Sequence, residues 1–284
     1  MKRAPAFLAG ILLGALQAHG EPLVDAVNRI VIPVSNLDRA VGFYSGALSF
    51  VPIDGVESPG VALRLGGETI ELVLRTGRQV PSDSRSNDLW FQHLAIVVSD
   101  IDRAYAIVLR QGAMSISAGP QELPAWNPDA GGIRAVYFRD PDDHPLELIQ
   151  FPRGKGAPRW QEKDRLFLGI DHSAIAVEDT ERSLAFYRGR LGLRIAGRSE
   201  NWGIEQERLS GVPGAHVRIT GLRAPVGPGI EFLQYLMPTD GRSSPADTRP
   251  EDLWSEVMMM HATDGGAGQL LHDPDGHALL VEAR

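Results

Sequence analysis

The sequence predicts an α+β protein made of four modules of one pattern, a strand, a helix and three further strands (βαβββ), with the fourth module shortened. Two internal repeats support this prediction. The segments VSNLDRA, VSDIDRA and VEDTERS, at residues 34–40, 98–104 and 177–183, each follow an apolar run and precede a helical pattern. The turn Asp-Pro-Asp recurs at residues 140–142 and 273–275, each time before an apolar strand pattern. A strand that leads into a helix is therefore expected three times, and a module end twice.

Within a module, the first strand runs directly into the helix. Ser35 and Ser99 each stand three residues before an aspartate, which is the spacing of a helix capping box, so the helices of modules one and two are expected to begin there. Short strands separated by Gly and Pro follow, as at residues 61–65 and 69–74. The first strands are the apolar runs at residues 30–34, 94–98 and 175–177.

The modules fall into two halves, at residues 27–152 and 168–284, joined by a linker at residues 153–167 that is rich in Gly, Pro and charge. The Asp-Leu-Trp tripeptide at residues 88–90 lies 52 residues before the Asp-Pro-Asp turn of module two. The second copy, at residues 252–254, lies only 21 residues before the turn of module four. About 31 residues, enough for a helix and its flanks, are therefore missing from module four.

The composition excludes several classes of function. The chain has 284 residues and a formal net charge of −8, which argues against a nucleic-acid partner held by phosphate contacts. It contains no cysteine, so disulfides, thiolate nucleophiles and thiolate metal ligands are excluded. Any metal must therefore bind to His, Asp or Glu.

The first 20 residues have the pattern of a secretory signal peptide. Lys2 and Arg3 precede an apolar run at residues 7–16, and the small residues Ala18 and Gly20 stand at the positions that a signal peptidase recognises. The run of about ten residues is too short to span a bilayer, which takes about 20. We therefore expect cleavage near Gly20, a periplasmic or secreted protein, and no stable membrane span.

Four longer motifs can be compared with known families. They are FYSGALSF at residues 43–50, YFRDPDDHPLELI at 137–149, FYRGRLGL at 186–193 and HDPDGHALLVE at 272–282. With them the chain resembles the vicinal oxygen chelate superfamily, which includes glyoxalase I, bleomycin-resistance proteins and extradiol dioxygenases. The resemblance implies that two βαβββ modules pair and curve into a cup around a metal ion or a ligand. It also implies that a module can contribute a His from its first strand and a Glu from its last strand.

A glutamate interrupts an apolar strand pattern three times, as Glu71, Glu147 and Glu231. Because strand side chains alternate between two faces, each Glu either points to water or faces the interior of a cup. Water is the simpler interpretation for Glu71, since Thr69, Glu71 and Arg75 form one polar face. A carboxylate that faces the interior needs a partner such as a cation.

The first strands carry histidines at matching positions. His93 and His172 each stand five residues before the valine that begins the repeated segment, whereas module one has Arg29 at this place. In module four, Val257 is aligned with the first-strand His and Leu280 with the last-strand Glu. Only modules two and three therefore carry both residue types.

Two pairings of the modules remain open. If module two pairs with module three, one cup holds two imidazoles and two carboxylates, from His93, Glu147, His172 and Glu231. Such a set suits Zn, Ni, Fe or Mn, and the arrangement resembles the tandem, single-chain glyoxalase I enzymes. If module one pairs with module two instead, the cup holds Glu71, His93 and Glu147 beside Arg29. Arg29 stays protonated and cannot bind a metal, but it can bind a substrate carboxylate.

The remaining His and the aromatic residues have structural explanations. His144, His272 and His277 lie in or beside the Asp-Pro-Asp turns, where structural hydrogen bonds are expected. Tyr44 and Tyr187 recur on one helical face and are expected in the core. Four tryptophans can line a substrate cavity or pack at sheet edges, namely Trp90, Trp126, Trp202 and Trp254.

The resemblance and the candidate ligands favour an exported, divalent-metal-dependent enzyme that acts on a small oxygenated molecule. It is expected to be a glyoxalase-like lyase or isomerase, in which Glu147 or Glu231 moves a proton beside a carbonyl, or an extradiol-type dioxygenase. The alternative is a metal-free protein that binds a small molecule or an antibiotic, which Arg29, Val257 and Leu280 favour for at least one cup. A homodimer is also open, because the shortened module leaves strand edges that a second chain can cover.

Overall fold

The computed structural model describes residues 23–54, 60–263 and 268–283. The leader expected at residues 1–20 lies outside the described residues, so export stays a prediction. No helix in the described part of the chain is both long enough and apolar enough to cross a membrane.

All four modules contribute strands, and modules one to three also contribute helices. Module one comprises β1 (Val24–Val34), α1 (Leu37–Leu48), β2 (Val51–Pro52), β3 (Val61–Leu65) and β4 (Glu68–Leu74). Module two comprises β5 (Gln92–Val98), α2 (Ile101–Arg110), β6 (Met114–Ser115), β7 (Gln121–Glu122), β8 (Arg134–Arg139) and β9 (Pro145–Gln150). Module three comprises β10 (Phe167–Ala176), α3 (Thr180–Leu184) with a π-helical continuation (Ala185–Arg190), β11 (Arg194–Trp202), α4 (Ile204–Ser210), β12 (His216–Arg223) and β13 (Gly229–Met237). Module four comprises β14 (Val257–Ala262), β15 (Gln269–His272) and β16 (Ala278–Glu282).

A nine-stranded sheet joins modules two and three. Its strand order is β11-β12-β13-β10-β5-β9-β8-β6, and β7 pairs with β8. The first strands of the two modules, β10 and β5, lie side by side in antiparallel pairing. Of the two pairings that the sequence left open, the structure shows that of modules two and three, and the pairing of modules one and two is wrong.

A seven-stranded sheet joins modules one and four, in the order β15-β16-β14-β1-β4-β3-β2. Its centre repeats the arrangement of the first sheet, because β1 and β14 are antiparallel neighbours. Each sheet takes one module from each half of the chain, so residues 27–152 and 168–284 do not form separate sheets. Module four supplies strands but no helix within the described residues, as its short spacing predicts.

One apolar cluster connects both sheets to α1, α2 and α3. Strand β5 shows how the site is separated from this core, because its side chains alternate between two faces. Leu94 and Ile96 belong to the cluster beside the helices, whereas Ala95 and Val97 belong to a second cluster on the opposite face. His93 lies in register with that opposite face, which we call the cup face.

The helices of modules one and two begin one residue later than the capping boxes predict. Asn36 and Asp100 are the N-caps, and the side chain of each accepts a hydrogen bond from the backbone N–H three residues on. The expected caps have other partners, since Ser35 donates to the carboxylate of Asp142 and Ser99 donates to a linker carbonyl. Both serines therefore connect separate segments instead of starting a helix.

The Asp-Pro-Asp turns connect the two sheets through tyrosine side chains. Tyr44 of α1 donates a hydrogen bond to Asp140 in module two, and Tyr187 donates one to Asp273 in module four, both over 3.1 Å. Both tyrosine side chains are fully buried, as expected for core residues. The recurring pair of a helix tyrosine and a turn aspartate therefore joins adjacent modules within each half of the chain.

His144 and His277, which follow these turns, make the structural hydrogen bonds expected of them. Nε2 of His144 lies 2.8 Å from the carbonyl oxygen of Leu253, and Nε2 of His277 lies 3.0 Å from that of Ala176. His272 is exposed. The two buried histidines therefore hold module four against its neighbours.

Each Asp-Leu-Trp tripeptide contacts an arginine from the other half of the chain. Arg242 donates to the buried carboxylate of Asp88 at 2.6 Å and lies over the ring of Trp90, 4.8 Å from its centroid. Arg78 makes the same two contacts with the second tripeptide, at 2.7 Å to Asp252 and 4.9 Å to the ring of the tryptophan that follows. The tripeptide that aligns modules two and four in sequence therefore also makes contacts between the two halves of the chain.

Candidate metal centre

Four strands of the nine-stranded sheet bring the predicted ligands together. His93 lies on β5, Glu147 on β9, His172 on β10 and Glu231 on β13. Ala95 of β5 pairs with both Glu147 and His172, and Ala174 of β10 pairs with both His93 and Glu231. The register therefore places the four side chains on one face across four adjacent strands.

Glu147 is at the centre of the group. Its Oε2 lies 3.1 Å from Nε2 of His93 and 3.5 Å from Nε2 of His172. One ligand atom from each of these three residues lies within 4.8 Å of the others. Glu231 lies beside the trio, with Oε1 3.6 Å from Nε2 of His172. The geometry therefore consists of a compact trio and a neighbouring fourth carboxylate.

Three of the four imidazole nitrogens in this trio are buried and open for coordination, whereas Nδ1 of His172 lies 2.9 Å from a carboxylate oxygen of Asp171. His93 is 1% exposed, and Glu147 and His172 are each 5% exposed. Neither ring nitrogen of His93, nor Nε2 of His172, has a hydrogen-bond partner of suitable geometry among the described residues. Buried polar atoms are normally satisfied, so these nitrogens point to a missing partner. Two imidazoles with carboxylates are the donor set of Zn and other transition-metal sites, and they fit a divalent metal.

Burial and neighbouring charges perturb the protonation of all four residues. Burial raises the pKa of Glu147, but the imidazoles of His172 and His93 outweigh this effect and lower it to about 2. Burial lowers the pKa of His93. Burial also acts to lower the pKa of His172, but the nearby carboxylates of Glu231 and Asp171 raise it well above the usual value. Burial raises the pKa of Glu231 to about 7.

Glu147 and His172 line a cavity of about 410 Å³ on the cup face, whereas His93 is buried and does not line it. The wall combines apolar side chains, among them Leu123, Ile133, Tyr137, Ile149, Leu209 and Ile219, with polar and charged ones, among them Arg198, Arg223 and Glu231. Gln206 of α4 also lines the cavity, although it is only 3% exposed, and its Oε1 has no hydrogen-bond partner in the described structure. A cavity of this size that combines apolar side chains with several polar groups fits a small molecule.

The tryptophans lie outside the wall of this cavity. Trp90 and Trp254 pack against arginines, as described above, whereas Trp126 and Trp202 stack on each other with ring centroids 4.1 Å apart. This second pair is about half exposed and lies beside Asn201, which lines the cavity. Trp90 and Trp254 therefore contact arginines in the Asp-Leu-Trp turns, and the other two form an exposed stack near the cavity.

The cup face of the seven-stranded sheet holds the other candidate residues. Arg29 and Glu71 occupy the register positions of His172 and Glu231, because β1 pairs with β4 and β14 as β10 pairs with β13 and β5. Nε of Arg29 donates to Oε2 of Glu71 over 2.7 Å. Glu71 is only 3% exposed, so the expectation that it points to water is wrong. A guanidinium group therefore neutralises this carboxylate.

Val257 and Leu280 complete the equivalent positions of this second cup and offer no ligand atoms. Arg29 and Glu71 thus lie on a different sheet from His93 and Glu147, so Arg29 does not join them in one site. The sequence comparison of the modules located both sets of residues. It did not identify Asp171, which lies at an irregularity of β10, or Trp160, which lies in the linker. It also did not identify Arg223 on β12 or Gln206 on the inserted helix α4.

Comparisons with known proteins identify the family of the chain. The family model of the Glyoxalase/Bleomycin resistance protein/Dioxygenase superfamily matches residues 26–148 and 169–281. The chain belongs to this superfamily. The family model thus matches the chain twice.

Several members resemble the chain over part or most of its length. Metallothiol transferase FosB of Shouchella clausii (strain KSM-K16) is 27% identical over 128 residues, which is 44% of this chain and 80% of that protein. The 2-epi-5-epi-valiolone epimerase of Actinomyces sp is 29% identical over 173 residues, covering 52% of this chain and 91% of the relative. The crystal structure of glyoxalase I from Zea mays superposes with a TM-score of 0.61 and 16% identity, over 91% of this chain and 92% of that one. At this identity the last match shows a shared fold.

Proposed function

We propose that the protein is a divalent-metal-dependent enzyme that transfers a proton at a carbon beside an oxygenated group of a small molecule, as a lyase or isomerase does. The observation that carries this proposal is the trio of His93, Glu147 and His172, whose ligand atoms cluster within 4.8 Å beside a cavity. Three of the four imidazole nitrogens in the trio are buried and have no hydrogen-bond partner of suitable geometry among the described residues. An extradiol-type dioxygenase uses a similar set of ligands. The proton-transfer function is favoured by the position of Glu231 beside the trio.

The residues of the site divide into two roles. His93, Glu147 and His172 would hold the metal, which as a Lewis acid supplies stabilisation of negative charge on substrate oxygens. Glu231 borders the cavity outside the trio, so its carboxylate can accept a proton from a bound molecule and return it. Proton transfer of this kind is consistent with the epimerase among the relatives.

The metal-free alternative applies to the second cup. There the Arg29–Glu71 ion pair occupies two of the ligand positions, and two apolar residues occupy the others. The four modules therefore form one candidate catalytic cup and one that lacks the ligand set. We also propose that the enzyme is exported, on the basis of the leader pattern at residues 1–20.

Metal analysis of the purified protein and its variants tests the proposal. We expect about one divalent metal ion per chain in the wild type, and loss of that ion in His93→Ala and in His172→Ala, because each variant removes one of three clustered ligands. His261→Ala is the matched control, since His261 lies on β14 of the other sheet and should leave metal content unchanged. A wild-type protein that stays metal-free after incubation with Zn²⁺, Mn²⁺, Fe²⁺ and Ni²⁺ contradicts the proposal.

A further inference from the structure

Strand β10 contains an irregularity at the candidate ligand His172. Ile170 and His172 stand two positions apart on β10, but their partners on β5, Ile96 and Ala95, are adjacent. Asp171 is therefore an extra residue, as in a β-bulge. In a regular strand, Asp171 and His172 would point to opposite faces, yet here both line the cavity.

The bulge allows the side chain of Asp171 to contact the ring of His172. Oδ2 of Asp171 lies 2.9 Å from Nδ1 of His172. Because a carboxylate accepts hydrogen bonds, this contact puts a proton on Nδ1 and turns Nε2 toward Glu147 and Glu231.

Asp171 is itself held in place by two further donors. Its Oδ1 accepts hydrogen bonds from Nη2 of Arg223 at 2.8 Å and from Nε1 of Trp160 at 3.1 Å, and Nη1 of Arg223 donates to the Asp171 carbonyl oxygen at 2.8 Å. Trp160 is 3% exposed and lies in a short 3₁₀ helix (Pro158–Gln161) within the linker. Both oxygens of the carboxylate are thus used, and its orientation is fixed from two sides.

We propose that Asp171 is a positioning residue that holds the ring of His172 with Nε2 directed into the metal site. The inference rests on the proposed function, because it assumes that His172 binds the metal. The linker then has a second task besides joining the halves, since Trp160 anchors the residue that orients a ligand.

The second cup provides a matched control position. Strand β1 has the same irregularity, because Val27 and Arg29 pair with the adjacent residues Met260 and Met259. Asn28 is therefore the counterpart of Asp171, in a cup without the ligand set. Asn28→Ala changes the same place in the fold and should not alter metal binding.

The test measures the affinity of the purified full chain for Zn²⁺ by competition with a chelator, and the visible spectrum of the Co²⁺ form. Asp171→Ala should weaken Zn²⁺ binding by about 10- to 100-fold and change the Co²⁺ spectrum, because an orienting hydrogen bond to a ligand is lost. Asp171→Asn removes the charge but keeps a side-chain oxygen that can accept from Nδ1 of His172, so it should bind Zn²⁺ more tightly than Asp171→Ala does. Equal losses in the two variants would show that Asp171 acts through its charge alone and would overturn the inference.

Two further results keep the inference separate from folding and from the proposed function. Trp160→Phe keeps the buried ring but removes one anchor of Asp171, so it should weaken Zn²⁺ binding less than Asp171→Ala does. If Asp171→Ala does not fold, Trp160→Phe tests the inference in its place, and a Zn²⁺ affinity equal to that of the wild type overturns the inference. A wild type that binds Zn²⁺ while Asp171→Ala binds it equally well refutes the inference alone. A wild type that binds none refutes the proposed function.

Discussion

At the scale of single residues, the same strand positions have opposite chemistry in the two cups. His172 and Glu231 of one cup correspond to Arg29 and Glu71 of the other. A metal ion can neutralise the carboxylate in the first cup, whereas the permanently charged guanidinium of Arg29 neutralises Glu71 in the second. The residue types could be compared from sequence, because the repeats align the modules. The burial of Glu71 could not be predicted from sequence, because the polar pattern around it also fits an exposed strand face.

The Arg29–Glu71 pair should behave as a buried ion pair. Arg29→Met removes the cation beside a carboxylate that is 3% exposed, so we expect the free energy of unfolding to fall by about 3 kcal/mol. Denaturant unfolding measures this change. The double variant Arg29→Met/Glu71→Gln should recover part of the loss, because the uncompensated charge is gone. Equal stability of Arg29→Met and the wild type would contradict a stabilising role for the pair.

At the scale of elements, the Asp-Pro-Asp turn of module two brings a buried group of charges against module four. Burial alone lowers the pKa of His144, but the carboxylate of Asp140 outweighs it and raises the pKa to about 9. Burial raises the pKa of Glu256 to about 8. Tyr44 and Asp142 also contribute to the polar groups around the turn. The turn was predictable as a module end, but its contact with Glu256 depends on the pairing of modules far apart in sequence.

These two pKa values predict that stability falls as the pH rises. The contribution of His144 is complete below its unfolded pKa of about 6.5 and is lost as the pH passes through about 9. Glu256 has a folded pKa above its unfolded value, so it too costs stability as the pH rises from about 4.5 to 8. The unfolding temperature should therefore decline between pH 6.5 and 9.

Glu256→Gln separates the two contributions. The amide cannot ionise, so this variant should be more stable than the wild type by about 1–3 kcal/mol at pH 8, and the gain should shrink toward pH 4.5. Thermal unfolding across this range is the measurement. A difference between variant and wild type that does not change with pH would mean that Glu256 does not titrate as its burial requires.

At the scale of the whole molecule, the internal repeats predicted the modules and the shortened fourth copy. They left two pairings of the modules open, of which the structure shows that of modules two and three. The modules were predictable from sequence because a repeated segment marks the same place in each of them. The bulge at Asp171, the inserted helix α4 and the anchoring by Trp160 were not predictable, since none of them follows the repeat. The ligands of the candidate site were thus predictable from sequence, whereas the residues that orient them depend on local departures from the regular module.

The proposed export concerns the whole chain and can be checked separately. When the full sequence is expressed in a bacterial host, the product in the periplasm or medium should begin at Glu21, because the leader pattern places cleavage after Gly20. Mass spectrometry of the intact protein from each cell fraction measures this. An intact product confined to the cytoplasm contradicts the prediction.

The central claim is that modules two and three build one metal site from His93, Glu147 and His172. Anomalous X-ray diffraction from crystals grown with Zn²⁺ tests it most directly, because the ion reports its own position. We predict one strong anomalous peak on the cup face of the nine-stranded sheet, about 2.0–2.2 Å from the ligand atoms of all three residues. The absence of a peak there, or a peak beside Arg29 and Glu71 in the other cup, would contradict the claim.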